Sequence, residues 1–270
     1  MNEMISICEK YAEEHKILFN GKKSKYLVFG NYEFNPTITV NNEPVPRCDS
    51  AIHLGHILDT KNSKDALIDE SIKAFNKSFY GFMSKFEGCN VTVKDKLFHQ
   101  YCSSMYGSQL WDLTNENVEK MFIQWRKAHR RVLSVPGRTH CDLLPLIADN
   151  IPLEVKLDCK YIAFFKSVST SDNGLVRYTA KCKLYDHSST LGRNMTHMMH
   201  KYDLQLEDFH SLSKNKIKEW CYEKWFSNIN NHYFTYAQVI REMIMMKENK
   251  CVRSFSDADI NFIIEYLCII

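Results

Sequence analysis

The chain has 270 residues, of which 44% are apolar and 25% charged, so it can bury a core and is not a disordered tail. Nine glycines and six prolines are too few for an all-β protein built on tight turns, which leaves a mainly helical one. The net charge of +3 excludes a strongly basic chain, yet residues 61–140 hold thirteen Lys/Arg against eight Asp/Glu, while residues 1–60 hold six against eight and residues 141–270 sixteen of each.

Residues 1–15 read as a helix with Ile5, Cys8 and Ala12 on one face; no capping residue precedes it, as if something upstream had been cut away. Two strands follow at 16–19 and 26–29, flanking the loop 20–25. A third is expected at 37–40 before the turn Asn41-Asn42, and a fourth at Ile52–Leu58, centred on Leu54-Gly55. From about residue 63 the pattern becomes helical. Ile68, Ile72, Phe75, Phe79, Phe82 and Phe86 recur at spacings of three and four, and Gly88 ends the run. Further helices are predicted at 92–113 and 115–134, the second with Val118, Met121, Phe122, Trp125, His129 and Val132 as its apolar stripe. Thr139-x-x-Asp142 has the form of a capping box, and Pro152 suits the first position of a helix running to about Ser169. The polar stretch 170–174 reads as a linker, followed by helices near 190–201, 213–230, 235–248 and 256–268. The expected architecture is therefore α+β and mainly helical: a small antiparallel β block over 1–60, a helical domain over 61–170, and a helical bundle over 171–270.

Several motifs fail on spacing. Gly21-Lys22-Lys23-Ser24 resembles the end of a P-loop, but position 16 is Lys and Lys23 follows Lys22. His99 with Cys102, and His197 with His200, have the i, i+3 spacing of two metal ligands, without a second pair to complete a site. They read as structural histidines and a buried thiol. The ten cysteines include no C-x-x-C, and no apolar leader stands at the N-terminus; reduced thiols and an intracellular setting, cytoplasm or nucleus, are expected. No apolar run has the length of a membrane span.

The order of the remaining segments carries a resemblance. Cys8–Ala12, Ile17–Asn20, Lys22–Lys25 and Tyr26–Phe29 follow the helix, strand, lysine loop and strand that close a reverse transcriptase palm (motif D). His53-Leu54-Gly55-His56-Ile57-Leu58 is similar to the primer-grip segment, and the helix 65–87 to the first helix of the thumb. Leu97–Asp112 and Trp125–Arg131, with Pro136 to Pro145, resemble the blocks that follow. Together these resemble the C-terminal part of a non-LTR (LINE-type) retrotransposon reverse transcriptase, well over residues 1–170 and more loosely beyond.

That family's metal-binding aspartates lie upstream of motif D, and this chain contains no Asp-Asp pair. The resemblance thus implies a truncated, reverse transcriptase-like protein, inactive alone, with no cofactor of its own and Mg²⁺ belonging to the full-length family. It implies residual binding to a template–primer duplex of RNA and DNA. Lys23 matches the motif D lysine, with Lys25 beside it, and Leu54 and Gly55 the approach to the primer. Lys73, Lys77, Lys94, Lys96, Arg126, Lys127, Arg130, Arg131 and Arg138 are the candidate phosphate contacts, Arg126–Arg131 foremost. No membrane and no small-molecule substrate are expected. The alternative is a domesticated helical module that binds a protein partner through its C-terminal helices.

Overall fold

The computed structural model describes residues 2–30, 36–60, 64–211, 213–229 and 231–248. The expected α+β, mainly helical class holds: eleven α-helices and two antiparallel two-stranded sheets lie among these residues. The chain divides into two compact units, Met1–Leu67 and Ile68–Ile270. No helix among the described residues is long and apolar enough to cross a membrane.

The first unit begins with α1 (Asn2–Glu14). Lys16 adopts the left-handed conformation (φ 55°) and the Ile17 N–H reaches back to the Ala12 carbonyl at 2.7 Å, a Schellman-type stop. The strands expected at 16–19 and 26–29 do not form. Leu18 is 87% exposed, and in their place stand irregular chain, a 3₁₀ turn over Gly21–Lys23 and a single parallel bridge between Tyr26 and Arg47. Segments of four residues could not become strands without a partner edge to pair with.

Strands β1 (Thr39–Val40) and β2 (Glu43–Pro44) pair across Asn41-Asn42, both with positive φ, as a two-residue hairpin requires. Gly21 is buried beneath this hairpin; a Cβ there would lie 2.8 Å from Glu43 Cβ, so only glycine permits the approach. The strand expected over 52–58 is instead two, β3 (Ser50–His53) and β4 (His56–Asp59), with Ile52 facing Ile57 and His53 facing His56. Leu54 (φ 49°) and Gly55 (φ 79°) form the turn between them. The left-handed pair folds the segment back on itself, which a propensity reading of an apolar run cannot distinguish from a straight strand.

In the second unit, α2 (Lys64–Phe86) buries Ile68, Phe75, Phe79, Phe82 and Met83, the stripe that its three-four spacing dictates. Then come α3 (Val91–Cys102), capped by the Asn90 side chain on Val93 N–H, and α4 (Glu116–Leu133), capped by Asn115. The helix predicted over 92–113 stops at Cys102. Met105 (φ 40°) and Gly107 (φ 78°) turn the chain before a 3₁₀ turn over Ser108–Leu110.

Helix α5 (Leu143–Ala148) is not opened by a capping box. Asp142 makes no side-chain cap bond and Thr139 is fully buried. Next are α6 (Leu153–Ser169), preceded by Pro152, and α7 (Gly174–Leu184), capped by Asn173 and unforeseen in the sequence. Helices α8 (Thr190–Tyr202), α9 (Leu206–Ser211), α10 (Lys214–Ser227) and α11 (Asn231–Glu248) complete the described chain. The helix expected over 256–268 lies outside the described residues.

Two apolar cores organise this unit besides the aromatic cluster of α2–α4. One joins Leu133, Leu143, Leu144 and Ile147 to Ala237 and Ile240; the other joins Tyr161, Ile162 and Phe165 to Met195, Met198 and Cys221. Asn194, fully buried on α8, bridges back to the segment before α4: its Oδ1 accepts from Leu113 N–H at 2.8 Å and its Nδ2 donates to the Trp111 carbonyl at 2.7 Å. Asn194→Ala strands both backbone groups and should cost about 2–4 kcal/mol. Urea unfolding with an unchanged slope would report this as a lowered midpoint; a midpoint equal to that of the parent would refute the bridge.

Candidate functional site

Asp95 and His99 sit one turn apart on α3, so they share a face, and His129 meets them from α4. Asp95 Oδ1 lies 2.7 Å from His129 Nε2 and 3.5 Å from His99 Nε2. The other nitrogen of His99, Nδ1, is 3.3 Å from Ser103 Oγ and 3.2 Å from Lys156 Nζ on α6. The group is walled by rings: Phe98 stacks on His129 at 5.5 Å between centroids, and Trp125 lies 4.5 Å from His129 and 5.6 Å from His99.

Burial fixes the charge state. It pushes His99 down to about 3, with the Lys156 ammonium adding to the effect and Asp95 opposing it. His129 is lowered by burial too, against its bond to Asp95. Lys156 is brought down to about 8, again chiefly by burial. Both imidazoles are therefore neutral at physiological pH. Each can present an unprotonated nitrogen as a ligand or base. His99 Nε2 and His129 Nδ1 are buried without a hydrogen-bond partner. A cavity of about 450 Å³ has Asp95 in its lining, with Thr92, Lys96 and Arg241.

The basic residues expected to contact phosphates are divided by the structure. Arg126 is turned inward: its guanidinium pairs with Glu119 and Glu154 and its Nε donates to the Phe122 carbonyl at 3.2 Å. Arg130 Nε donates to the Thr139 carbonyl at 2.9 Å. Lys94 is buried, and Lys73 pairs with Glu70 at 2.7 Å. Lys77, Lys96, Lys127, Arg131 and Arg138 are exposed. Lys120, Lys127 and Arg131, spaced by seven and four, form one exposed stripe of α4. Arg131 Cζ stands 5.4 Å over the Phe79 ring of α2, and Phe79 touches Tyr80, which is 62% exposed.

In the first unit, Lys23 and Lys25 are exposed on the 3₁₀ turn and just after it, with Asn20 Oδ1 capping Lys23 N–H at 3.1 Å. Leu54 and Gly55 form the exposed hairpin tip. Cys102 stands outside the His–Asp group, a buried thiol raised to about 11 by burial.

Sequence reasoning missed the Asp95–His99–His129 group. The i, i+4 relation of Asp95 to His99 was its one local signal; His129 reads as part of an apolar stripe, and its distance in sequence hides the partnership. Compared with protein-family models, curated proteins and solved structures, the chain matches none of them.

Proposed function

We propose that the second unit binds the phosphate backbone of a nucleic-acid duplex, in the manner expected of the thumb-side part of a non-LTR reverse transcriptase. The observation that carries this reading is the exposed stripe Lys120–Lys127–Arg131 on α4, with Arg131 over the Phe79 ring and the exposed Tyr80 next to Phe79. Cations at helical spacing track a row of phosphates, and the exposed Tyr80 ring offers a face for a base. Arg126 and Arg130 support the fold. The sequence has no Asp-Asp pair, so nucleotide incorporation by this sequence alone forms no part of the reading.

Binding to a labelled RNA–DNA duplex over a salt series tests it. A steep negative dependence of affinity on salt is expected, and the triple variant Lys120→Ala/Lys127→Ala/Arg131→Ala should lower the slope by roughly two to three, about 0.9 per lost phosphate contact. A slope near zero, or one unmoved by the triple variant, refutes it.

One observation favours a second reading, a protein-binding surface. Helix α7 buries only Ala180 among its residues, while Leu175 is 74% and Tyr178 67% exposed. Salt-insensitive behaviour with duplexes, together with a protein partner whose binding is lost in Leu175→Asp, would support it.

A further inference from the structure

We propose that Asp95, His99 and His129 form a binding site for one divalent transition-metal ion of the zinc class, tying α3 to α4. The donor set is two neutral imidazoles and one carboxylate, which suits zinc, cobalt or nickel and not magnesium or calcium. One ligand atom from each residue lies within 4.8 Å of the others, with Asp95 Oδ1 at 2.7 Å from His129 Nε2 and 3.5 Å from His99 Nε2. Tetrahedral bonds of about 2.1 Å place ligand atoms roughly 3.4 Å apart, so shifts of a few tenths of an ångström to about 1 Å complete the geometry. His99 Nε2 is buried beside Asp95 without a hydrogen bond. With the ring proton there it faces the Asp95 carboxylate at 3.5 Å, too long for a good hydrogen bond, so the atom gains a close partner only when an ion replaces the proton.

The surroundings fit at His99. A ligating histidine has its other ring N–H held by an acceptor, and Ser103 Oγ is 3.3 Å from His99 Nδ1, whereas His129 Nδ1 is buried without one. The 450 Å³ cavity reaches the site at Asp95, and neither histidine is in its lining. Lys156 is the competitor. Its ammonium, 3.2 Å from His99 Nδ1, donates to that nitrogen and keeps the ring proton on Nε2. The ion must displace this bond, after which Nδ1–H donates to Ser103.

The test uses the full chain, freed of metal with a chelator and titrated with Co²⁺, then with Zn²⁺ in competition. One equivalent of Co²⁺ should give the visible absorption of a nitrogen and oxygen-ligated tetrahedral ion, without a thiolate charge-transfer band. Asp95→Asn should abolish it. Ser103→Ala should weaken binding about 10–100-fold, and Lys156→Met should tighten it. His140, Cys141 and Asp142 also lie close together, so Cys141→Ser serves as the control and should bind like the parent. X-ray absorption of the zinc-loaded parent needs no variant; two imidazoles and no sulfur are expected. A sulfur ligand, the absence of a visible band, or unchanged binding in a folded Asp95→Asn protein each overturns the site.

Discussion

Phe98→Ala should remove about 3–5 kcal/mol of stability, a large part of the roughly 5–15 kcal/mol that holds a domain together. Phe98 is fully buried on α3 and stands at the centre of the second unit's aromatic cluster. Its ring centroid lies 6.3 Å from Phe75, 6.1 Å from both Phe79 and Phe82, 5.7 Å from Trp125 and 5.5 Å from His129. Truncation removes edge-to-face contacts to Phe75 and Phe79, a tilted one to Phe82 and stacking on α4 in one step, and leaves a cavity that stiff neighbouring rings cannot close. Urea denaturation at a constant slope measures the loss, with the exposed Lys85→Ala on α2 as reference, expected within about 0.5 kcal/mol of the parent. A loss below about 1 kcal/mol for Phe98→Ala would mean that the cluster repacks without it, and that α3 is held by something else.

The same cluster shows why some of the fold can be read from the sequence and some cannot. The rings of α2 recur at three and four, a period set by the helix itself, and the structure buries them as the period requires. Asn41-Asn42 announced its turn because few residues other than glycine and asparagine tolerate two positive φ angles in succession. Propensity gave no such signal at Leu54: a leucine at φ 49° is a strained choice, so residues 52–58 read as one strand, and only the primer-grip resemblance implied a hairpin there. Helix α7 went unseen because a helix that buries only Ala180 has almost no apolar stripe to find. In the candidate site, composition located the basic surplus but not its direction. Arg126 and Lys127 are neighbours in sequence, yet one closes an ion pair with Glu119 and Glu154 while the other faces water. The histidines misled for a related reason. His99 and Cys102 fall at metal-ligand spacing, whereas the group that forms joins His99 to Asp95 on the opposite side in sequence and to His129 on another helix. Local spacing reports what shares a face, and tertiary packing decides what that face meets.

The metal-free chain should lose stability steeply as the pH falls below 6.5. His99, at about 3 in the fold, and His129, lowered as well, both titrate near 6.5 once unfolded. Below pH 6.5 the unfolded chain therefore binds up to two protons that the folded chain refuses. Stability must then rise with pH across this window and fall as acid is added. For His99 the limiting slope is roughly 1.4 kcal/mol per pH unit and the loss between pH 6.5 and 5 comes to about 1.7 kcal/mol; His129 adds in the same direction. Of the charged groups acting on them, only Asp95 favours their protonation, and burial outweighs it; Lys156 (on both), Arg130 (on His129) and His129 (on His99) act in the same direction as burial. The half-buried His197, also lowered by burial, adds in the same direction. Glu154, whose pKa burial raises, acts with the opposite sign nearer its own range, so the comparison belongs between pH 7 and 5. Urea midpoints taken in chelator at those two values give the result directly. His99→Gln should flatten the dependence by about one proton's worth while leaving an amide that Ser103 and Lys156 can still meet. Midpoints that coincide at pH 5 and pH 7 would show that the fold accepts those protons, and that Asp95 forms an ion pair with a charged histidine instead of a bond to a neutral one.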